Sequence, residues 1–159
     1  MRKYIVIAIL LGLTYACSNN APATNSNAAN STDKGASASG TNAGYDSVKG
    51  AGKFTHVTLS PQLDTKLAAA GKAVYELKCS ACHKLTGEKL VGPGWKGVTE
   101  KRQPEWIMNF VTNTDEMISK DPHAQALLAI CMVRMPNQNL SDQDARNVLE
   151  FMRQNDGVK

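Results

Sequence analysis

The chain has 159 residues, of which 42% are hydrophobic and 20% are charged, and its formal net charge is +4 at pH 7. This length is sufficient for one ordinary domain with additional segments. From Lys53 onward there are 14 basic and 12 acidic residues. A net charge of +2 without a basic stripe excludes a typical nucleic-acid-binding surface and allows only modest steering toward an acidic partner.

Residues 1–16 have the pattern of an export signal. Arg2 and Lys3 form a basic start, Ile5 to Leu13 form a short apolar run, and the small residue Ala16 closes the segment. The apolar run is too short to cross a bilayer, which needs roughly 18 or more apolar residues. The sequence therefore predicts a signal peptide over residues 1–16 and export of the protein.

Cys17 follows this segment directly. The stretch Leu13-Thr14-Tyr15-Ala16-Cys17 resembles a bacterial lipoprotein cleavage box, although Thr14 stands where that pattern prefers an aliphatic residue. The resemblance implies that Cys17 becomes the acylated first residue of the mature protein and attaches it to a membrane. The alternative is an ordinary signal peptide followed by an incidental cysteine.

Residues 17–52 are predicted to form a flexible linker. Between Ser18 and Gly44, only Pro22, Asp33 and Lys34 are not serine, asparagine, alanine, threonine or glycine. Such a segment cannot bury enough apolar surface to offset its ordering entropy, and a coil of this length spans about 30 Å. We therefore expect a folded domain over residues 53–159, displayed from a membrane in the bacterial cell envelope and facing the periplasm.

The folded domain is predicted to begin with a helix that leads into a cysteine motif. Ser60 and Pro61 are a typical N-cap followed by proline at the first helical position. Apolar residues then recur at spacings of four and three, as expected for one face of a helix. These residues are Leu63, Leu67, Ala70, Val74 and Leu77.

The pentapeptide Cys79-Ser80-Ala81-Cys82-His83 has the C-x-x-C-H form that attaches a c-type haem. Two thiols three positions apart can each add to a vinyl group on one edge of a porphyrin. The next residue is then held beside the iron, and a neutral imidazole is a good axial ligand. The motif thus predicts one covalently bound haem c (heme c) on Cys79 and Cys82, with His83 as an iron ligand.

Two other uses of a C-x-x-C pair are a dithiol redox site and half of a zinc site. A redox site would require a βαβ pattern around the motif, which the sequence lacks. Zinc would require two more ligands, and the remaining candidates form no second closely spaced pair. Those candidates are Cys17, Cys131, His56 and His123.

Three further helices are predicted downstream of the motif. One begins at Pro104, a second begins after the cap Asp121, and the last begins after Ser141, which forms a capping box with Asp144. No segment shows the alternation of apolar and polar residues that is typical of a half-buried strand. The fold class is therefore predicted to be all-α.

The segment from Gly52 to Gln154 resembles a single-haem class I cytochrome c domain. The resemblance implies an N-terminal and a C-terminal helix that cross beside an enclosed haem, with Gly71 and Tyr75 meeting Phe151. It also implies that the carbonyl of Pro93, in the Gly92-Pro93 turn, accepts the free ring N–H of His83. Trp95 and Trp106 are candidates for the wall of the haem pocket or for contacts to the haem propionates, with a place in the core as the alternative, and Cys131 is expected to be a buried, inert thiol.

The resemblance further implies that Met135 is the second iron ligand. Met135-Pro136 followed by Leu140-Ser141-Asp142-Gln143-Asp144 matches the family pattern of M-P and then L-[ST]-x-x-[DE]. Met132 is a rival, but it is expected at the end of a helix, and His123 is expected to face solvent. A thioether ligand would raise the reduction potential relative to two histidines.

A six-coordinate iron leaves no open position for a substrate, so we expect an electron carrier and not an enzyme. Its expected partners are redox proteins that donate and accept electrons, and the membrane through the lipid on Cys17. Two alternatives remain at this point: a haem enzyme or ligand sensor with a displaceable Met135, and the haem subunit of a larger periplasmic oxidoreductase. No nucleic-acid partner is expected.

Overall fold

The computed structural model describes residues 45–159. The predicted signal peptide and the lipidation site Cys17 lie outside these residues. Between 45 and 159 the regular structure consists of helices and two isolated bridges, which confirms the all-α prediction. The helices are α1 (Thr65–Lys78), α2 (Val98–Lys101), α3 (Pro104–Thr112), α4 (Thr114–Lys120), α5 (Pro122–Cys131) and α6 (Asp142–Asn155).

Helix α1 begins four residues later than the sequence predicts. Its N-cap is Asp64, whose carboxylate accepts hydrogen bonds from the backbone N–H groups of Lys66 and Leu67. The Ser60-Pro61 pair lies in a bend before the helix, where the Ser60 carbonyl accepts a bond from Arg153. The reason is that Asp64, four residues after Ser60, caps two N–H groups at once.

The buried face of α1 also differs from the predicted one. Ala68, Gly71 and Tyr75 are buried, whereas Leu77 of the predicted stripe is 82% exposed. The helix packs on α6 through small residues and one aromatic ring, so that its longer aliphatic side chains are only partly covered or lie in solvent.

The crossing of α1 and α6 depends on Gly71. A Cβ at this position would lie 2.0 Å from the Asn147 carbonyl oxygen and 2.9 Å from Cβ of Phe151. The Tyr75 and Phe151 rings lie beside the crossing with centroids 5.5 Å apart. The contact implied by the family pattern is therefore confirmed, and glycine is required there because two backbones touch.

Helix α6 carries a buried ionic network in addition to its predicted capping box at Ser141, which is present. The carboxylate of Glu150 is completely buried and contacts Arg153 at 2.6 Å and Arg146 at 2.7 Å. It also accepts the backbone N–H of Asp64 at 2.9 Å. This network joins the start of α1 to the middle of α6.

The starts of α3 at Pro104 and of α5 after the Asp121 cap are confirmed. Helices α2 and α4 were not predicted from sequence. Helix α2 has only four residues, and Gly97 precedes it in the left-handed conformation. Helix α4 is capped by Asn113, the residue that also ends α3. Both elements are too short for an apolar period to reveal them.

Residues 45–52, which the sequence assigns to the linker, pack against the helices. Ala51 is buried, and its N–H lies 3.0 Å from the sulfur of Met117. The Asn109 amide donates to the carbonyls of Lys49 and Phe54, both at 3.0 Å, and accepts from the Phe54 N–H. Many of its contacts use backbone groups, which composition does not reveal, while Tyr45 packs against the core and donates its hydroxyl to Asp121.

Gly50 and Gly52 allow this close approach. A Cβ at Gly52 would lie 2.3 Å from Oδ1 of Asn109, and a Cβ at Gly50 would lie 2.7 Å from the Met117 sulfur. Both glycines have positive φ angles, 74° and 153°.

Among the described helices, none is long and apolar enough to cross a membrane.

Candidate functional site

An apolar cavity lies between the cysteine motif, α3, α5 and the loop that follows α5. It has two adjoining compartments, the larger bordered by Cys79 and Trp95 and the smaller by Val91 and Cys131. Apolar pockets between helices are typical sites for cofactors. The residues that line both compartments are Cys82, His83, Pro93, Phe110, Leu127, Met135 and Pro136.

The cysteine motif forms a tight turn at the end of α1. The Tyr75 carbonyl accepts the N–H groups of Cys79 and Ser80, both at 2.9 Å. The Cys79 carbonyl then accepts the N–H groups of Cys82 at 3.0 Å and of His83 at 2.9 Å. The end of the helix thus fixes the backbone of the motif, and it brings Cys79, Cys82 and His83 to one cavity.

The two motif thiols are free, with Cys79 buried and Cys82 half-buried. Burial raises the pKa of the Cys79 thiol to about 11, with a further rise from Cys82 and a partial offset from Lys78. A dithiol redox site requires a thiol whose pKa is lowered instead. The surroundings of Cys79 therefore argue against that alternative.

The imidazole of His83 is held in one orientation. Its Nδ1 lies 2.9 Å from the Pro93 carbonyl oxygen, and because a carbonyl can only accept, Nδ1 carries the proton and Nε2 keeps its lone pair. Burial lowers the pKa of His83, and the Pro93 contact raises it in part. The site therefore favours a neutral imidazole with one free nitrogen, which is the form that binds a metal.

Gly92 is in close contact with the His83 ring, which the sequence did not reveal. A Cβ at Gly92 would lie 2.4 Å from Cε1 and 2.8 Å from Nδ1 of His83. In the sequence, Gly92-Pro93-Gly94 is compatible with a plain turn. The structure shows that the backbone of Gly92 forms the surface against which the ring rests.

The loop that carries Pro93 is fastened to other elements. Tyr75 donates its hydroxyl to the His83 carbonyl at 2.7 Å. Asn155 donates to the Leu85 carbonyl, and Asp156 accepts the N–H groups of Gly97 and Thr99 at 2.6 and 2.9 Å. The end of α6 therefore holds the segment that contains Pro93.

Met135 lies in the loop after α5 and lines both compartments of the cavity. Its rival Met132 is 84% exposed, lines neither compartment, and ends α5 with a left-handed φ of 55°. His123 is exposed and also lines neither compartment. Of the three sequence candidates for the second ligand, the structure brings only Met135 to the cavity that His83 lines.

The two tryptophans are both buried and line the larger compartment. The indole N–H of Trp106 donates to Asp121 at 3.0 Å, so it is not free to bind a cofactor carboxylate. Cys131 is half-exposed and lines the smaller compartment, so the prediction of a buried thiol is wrong. It is the last residue of α5, and this end of the helix borders the cavity.

The residues of the cavity fit a covalently bound haem. The walls are apolar, two free thiols lie at its edge in the required spacing, and one imidazole nitrogen remains available. The region that the structure describes contains no group of three or more histidine, cysteine or acidic side chains able to hold a metal ion by themselves. The fold and this site together are those of a small helical protein with a cavity that suits a covalently bound haem.

The family model described as cytochrome c matches residues 68–156, more than half of the sequence, and the chain belongs to this family. A search of curated proteins finds no match. Family membership implies covalent haem c and electron transfer.

Solved structures agree. A cytochrome c from Rhodothermus marinus is 35% identical, with a TM-score of 0.64, and the match covers 66% of this chain and 90% of that one. An engineered form of it, Rma TDE, is 34% identical with the same score and coverage. A structure of Rma TDE bound to a carbene intermediate is 34% identical with a TM-score of 0.61, again covering 66% and 90% of the two chains.

Proposed function

We propose that the protein is a one-electron carrier in which Cys79 and Cys82 attach the haem, and His83 and Met135 are its two axial ligands. The observation that carries the proposal is that His83 and Met135, from two different loops, line the same apolar cavity. The haem supplies the redox-active iron. The protein supplies its attachment, its ligands and its shelter from water.

The side chains have separable tasks in this proposal. Pro93 keeps the proton on Nδ1 of His83, which orients the ring and leaves Nε2 as the ligand atom. The soft thioether of Met135 favours the reduced iron and raises the potential. The apolar walls keep water away, so that a change in charge meets little solvent reorganisation.

The test of the ligand assignment is the weak sulfur-to-iron charge-transfer band of the oxidised protein. The band is expected in the wild type and lost in Met135→Ala, while Met132→Ala retains it. Absence of the band from the wild type, or its survival in Met135→Ala, would exclude Met135. Mass spectrometry of exported protein should show one haem adduct, which Cys79→Ser combined with Cys82→Ser removes.

We further propose that the domain works in the bacterial cell envelope, attached to a membrane through a lipid on Cys17 and facing the periplasm. The support is the pattern of residues 1–17, together with a cofactor that family membership implies. Its partners in this proposal are redox proteins near that membrane. Cys17→Ser should release the protein from the membrane fraction, with the haem spectrum unchanged. Retention of the variant in that fraction would contradict the lipid attachment.

A further inference from the structure

The loop that carries Met135 is weakly fastened by its own backbone. In the described part of the chain, no backbone–backbone hydrogen bond involves residues 133–140. One local bond exists, from the Asn139 N–H to the Asn137 side chain at 2.8 Å. The position of this loop must therefore depend on side chains that reach it from elsewhere, and on the burial of Leu140 at its end.

Two cationic groups make hydrogen bonds that hold this loop. Arg134 pairs with Asp115 at 2.8 Å, but their side chains are 51% and 66% exposed, and such pairs contribute little because water screens them. The second is Lys78, whose Nζ donates to the Gln138 carbonyl at 2.9 Å in a half-buried position. Because this charge-assisted bond is less exposed than the Arg134 pair, water and salt screen it less.

Lys78 also occupies a particular place in the molecule. It is the last residue of α1, directly before Cys79, and its side chain lines the larger compartment together with Met135 and Gln138. A single side chain thereby connects the end of the helix that delivers the first motif thiol to the loop that delivers Met135.

We infer that Lys78 is a positioning residue for Met135: it keeps the Met135 loop closed and so sets how readily an external ligand replaces the thioether. The inference rests on the proposed ligation by Met135. An external ligand binds only when the loop is open, so its apparent affinity scales with the open fraction. Weakening the closure therefore raises that affinity without altering the His83 side.

The experiment measures imidazole binding to the oxidised holoprotein. In Lys78→Met, which keeps the apolar stem and removes the donor, the apparent affinity is expected to rise about tenfold, equivalent to 1.4 kcal/mol of lost closure. Lys78→Arg retains a cationic donor and should recover most of the wild-type value. The imidazole affinity of Met135→Ala gives the upper limit, because that variant has no thioether to compete for the iron.

The matched control is Lys49→Met. Lys49 also donates Nζ to a backbone carbonyl, that of Thr55 at 2.8 Å, but it lies away from the cavity. Its substitution should leave imidazole binding unchanged. An equal rise of the imidazole affinity in both variants would overturn the inference, because the effect would then be a general loosening of the fold. A wild-type imidazole affinity in Lys78→Met would also overturn it.

The charge-transfer band separates this failure from failure of the proposed function. If Met135→Ala retains the band, Met135 is not the ligand and both proposals fall. If Met135→Ala loses the band while Lys78→Met binds imidazole like the wild type, the ligand assignment stands and only the role of Lys78 is refuted.

Discussion

The two loops that bring His83 and Met135 to the cavity are built in opposite ways. The His83 loop is fastened by hydrogen bonds that Tyr75 and Asn155 donate and Asp156 accepts, and by direct contact between Gly92 and the imidazole. Among the described residues, the Met135 loop makes no backbone–backbone bonds over residues 133–140, and it is held by the bond from Lys78 and by the pair of Arg134 with Asp115. Several elements hold the proposed ligand His83, whereas the proposed ligand Met135 depends on a few side chains.

This difference suggests a division of labour. A rigid His83 frame presents the two thiols and the imidazole together, as covalent attachment of the cofactor requires. A loosely held Met135 loop can close after the cofactor is in place. If Met135 is the second ligand, as proposed, ligand exchange at the iron is expected to start from this loop.

The largest expected loss of stability comes from breaking the ionic network of Glu150 on α6, the helix whose end holds the His83 loop. Glu150→Gln removes the buried charge that Arg146 and Arg153 share. The unfolding free energy should fall by about 4 kcal/mol at pH 7, because a buried guanidinium loses its partner. Denaturant unfolding measures this loss, and both loops should be affected. An effect on the Met135 side alone would contradict a shared support.

The same variant has a pH signature. Burial of Glu150 raises its pKa, but hydrogen bonds from Asp64, Arg146 and Arg153 outweigh this, and the pKa is lowered below the ordinary 4.5. A lowered pKa contributes stability that is complete above about pH 4.5 and is lost as the pH falls through the folded value. Glu150→Gln should therefore show a flatter loss of stability on the acid side of pH 4.5.

Gly92→Ala is expected to damage the frame directly. The new Cβ would lie 2.4 Å from Cε1 of His83, and the cost of such overpacking is about 3 kcal/mol. The proton NMR signals of the His83 ring should shift in the oxidised holoprotein. Gly87→Ala is the matched control in the same loop, because a Cβ there has no neighbour within 4 Å among residues 45–159, and it should resemble the wild type.

Asp156→Ala tests the more distant part of the frame. Asp156 accepts three hydrogen bonds, one from Gly97 and two from Thr99, at the start of α2. Its side chain thus acts as a cap for α2, and its loss should lower the unfolding free energy by about 2 kcal/mol, the upper end for a helix cap. Asp156→Asn keeps one acceptor oxygen, so its unfolding free energy should lie between those of the wild type and Asp156→Ala. A value for Asp156→Asn equal to that of Asp156→Ala would show that charge, and not hydrogen bonding, fastens the loop.

The smallest effect is expected on the Met135 side. Arg134→Ala removes an exposed pair with Asp115 and should change the unfolding free energy by about 0.5 kcal/mol or less. Thermal unfolding in low and high salt measures it, and the difference from the wild type should shrink in high salt. A cost above that of Asp156→Ala would reverse the comparison between the loops.

The sequence predicted those elements that have strong local signals. Proline at the first helical position and a capping box located the starts of α3, α5 and α6, and the pentapeptide at Cys79 located the site. The start of α1 was missed because Ser60-Pro61 imitates a cap, while Asp64 makes the better one. Helices α2 and α4 are too short to show a period.

The contacts that hold the site were largely beyond sequence reasoning. Neither the contact of Gly92 with His83 nor the bond from Lys78 to the Gln138 carbonyl follows from a residue pattern. In both cases a backbone group is one of the partners, and backbone groups carry no identity in a sequence. Only the folded path of the chain brings them within reach.

The packing of residues 45–52 has a practical consequence for recombinant work. Shortening the protein to begin at Lys53 would discard Lys49 and Ala51, and with them partners of the Asn109 amide and of Met117. The uncovered sulfur and the indole of Trp106 would then meet water next to the wall of the cavity. A trimmed protein intended for crystals or for engineering should start no later than Tyr45.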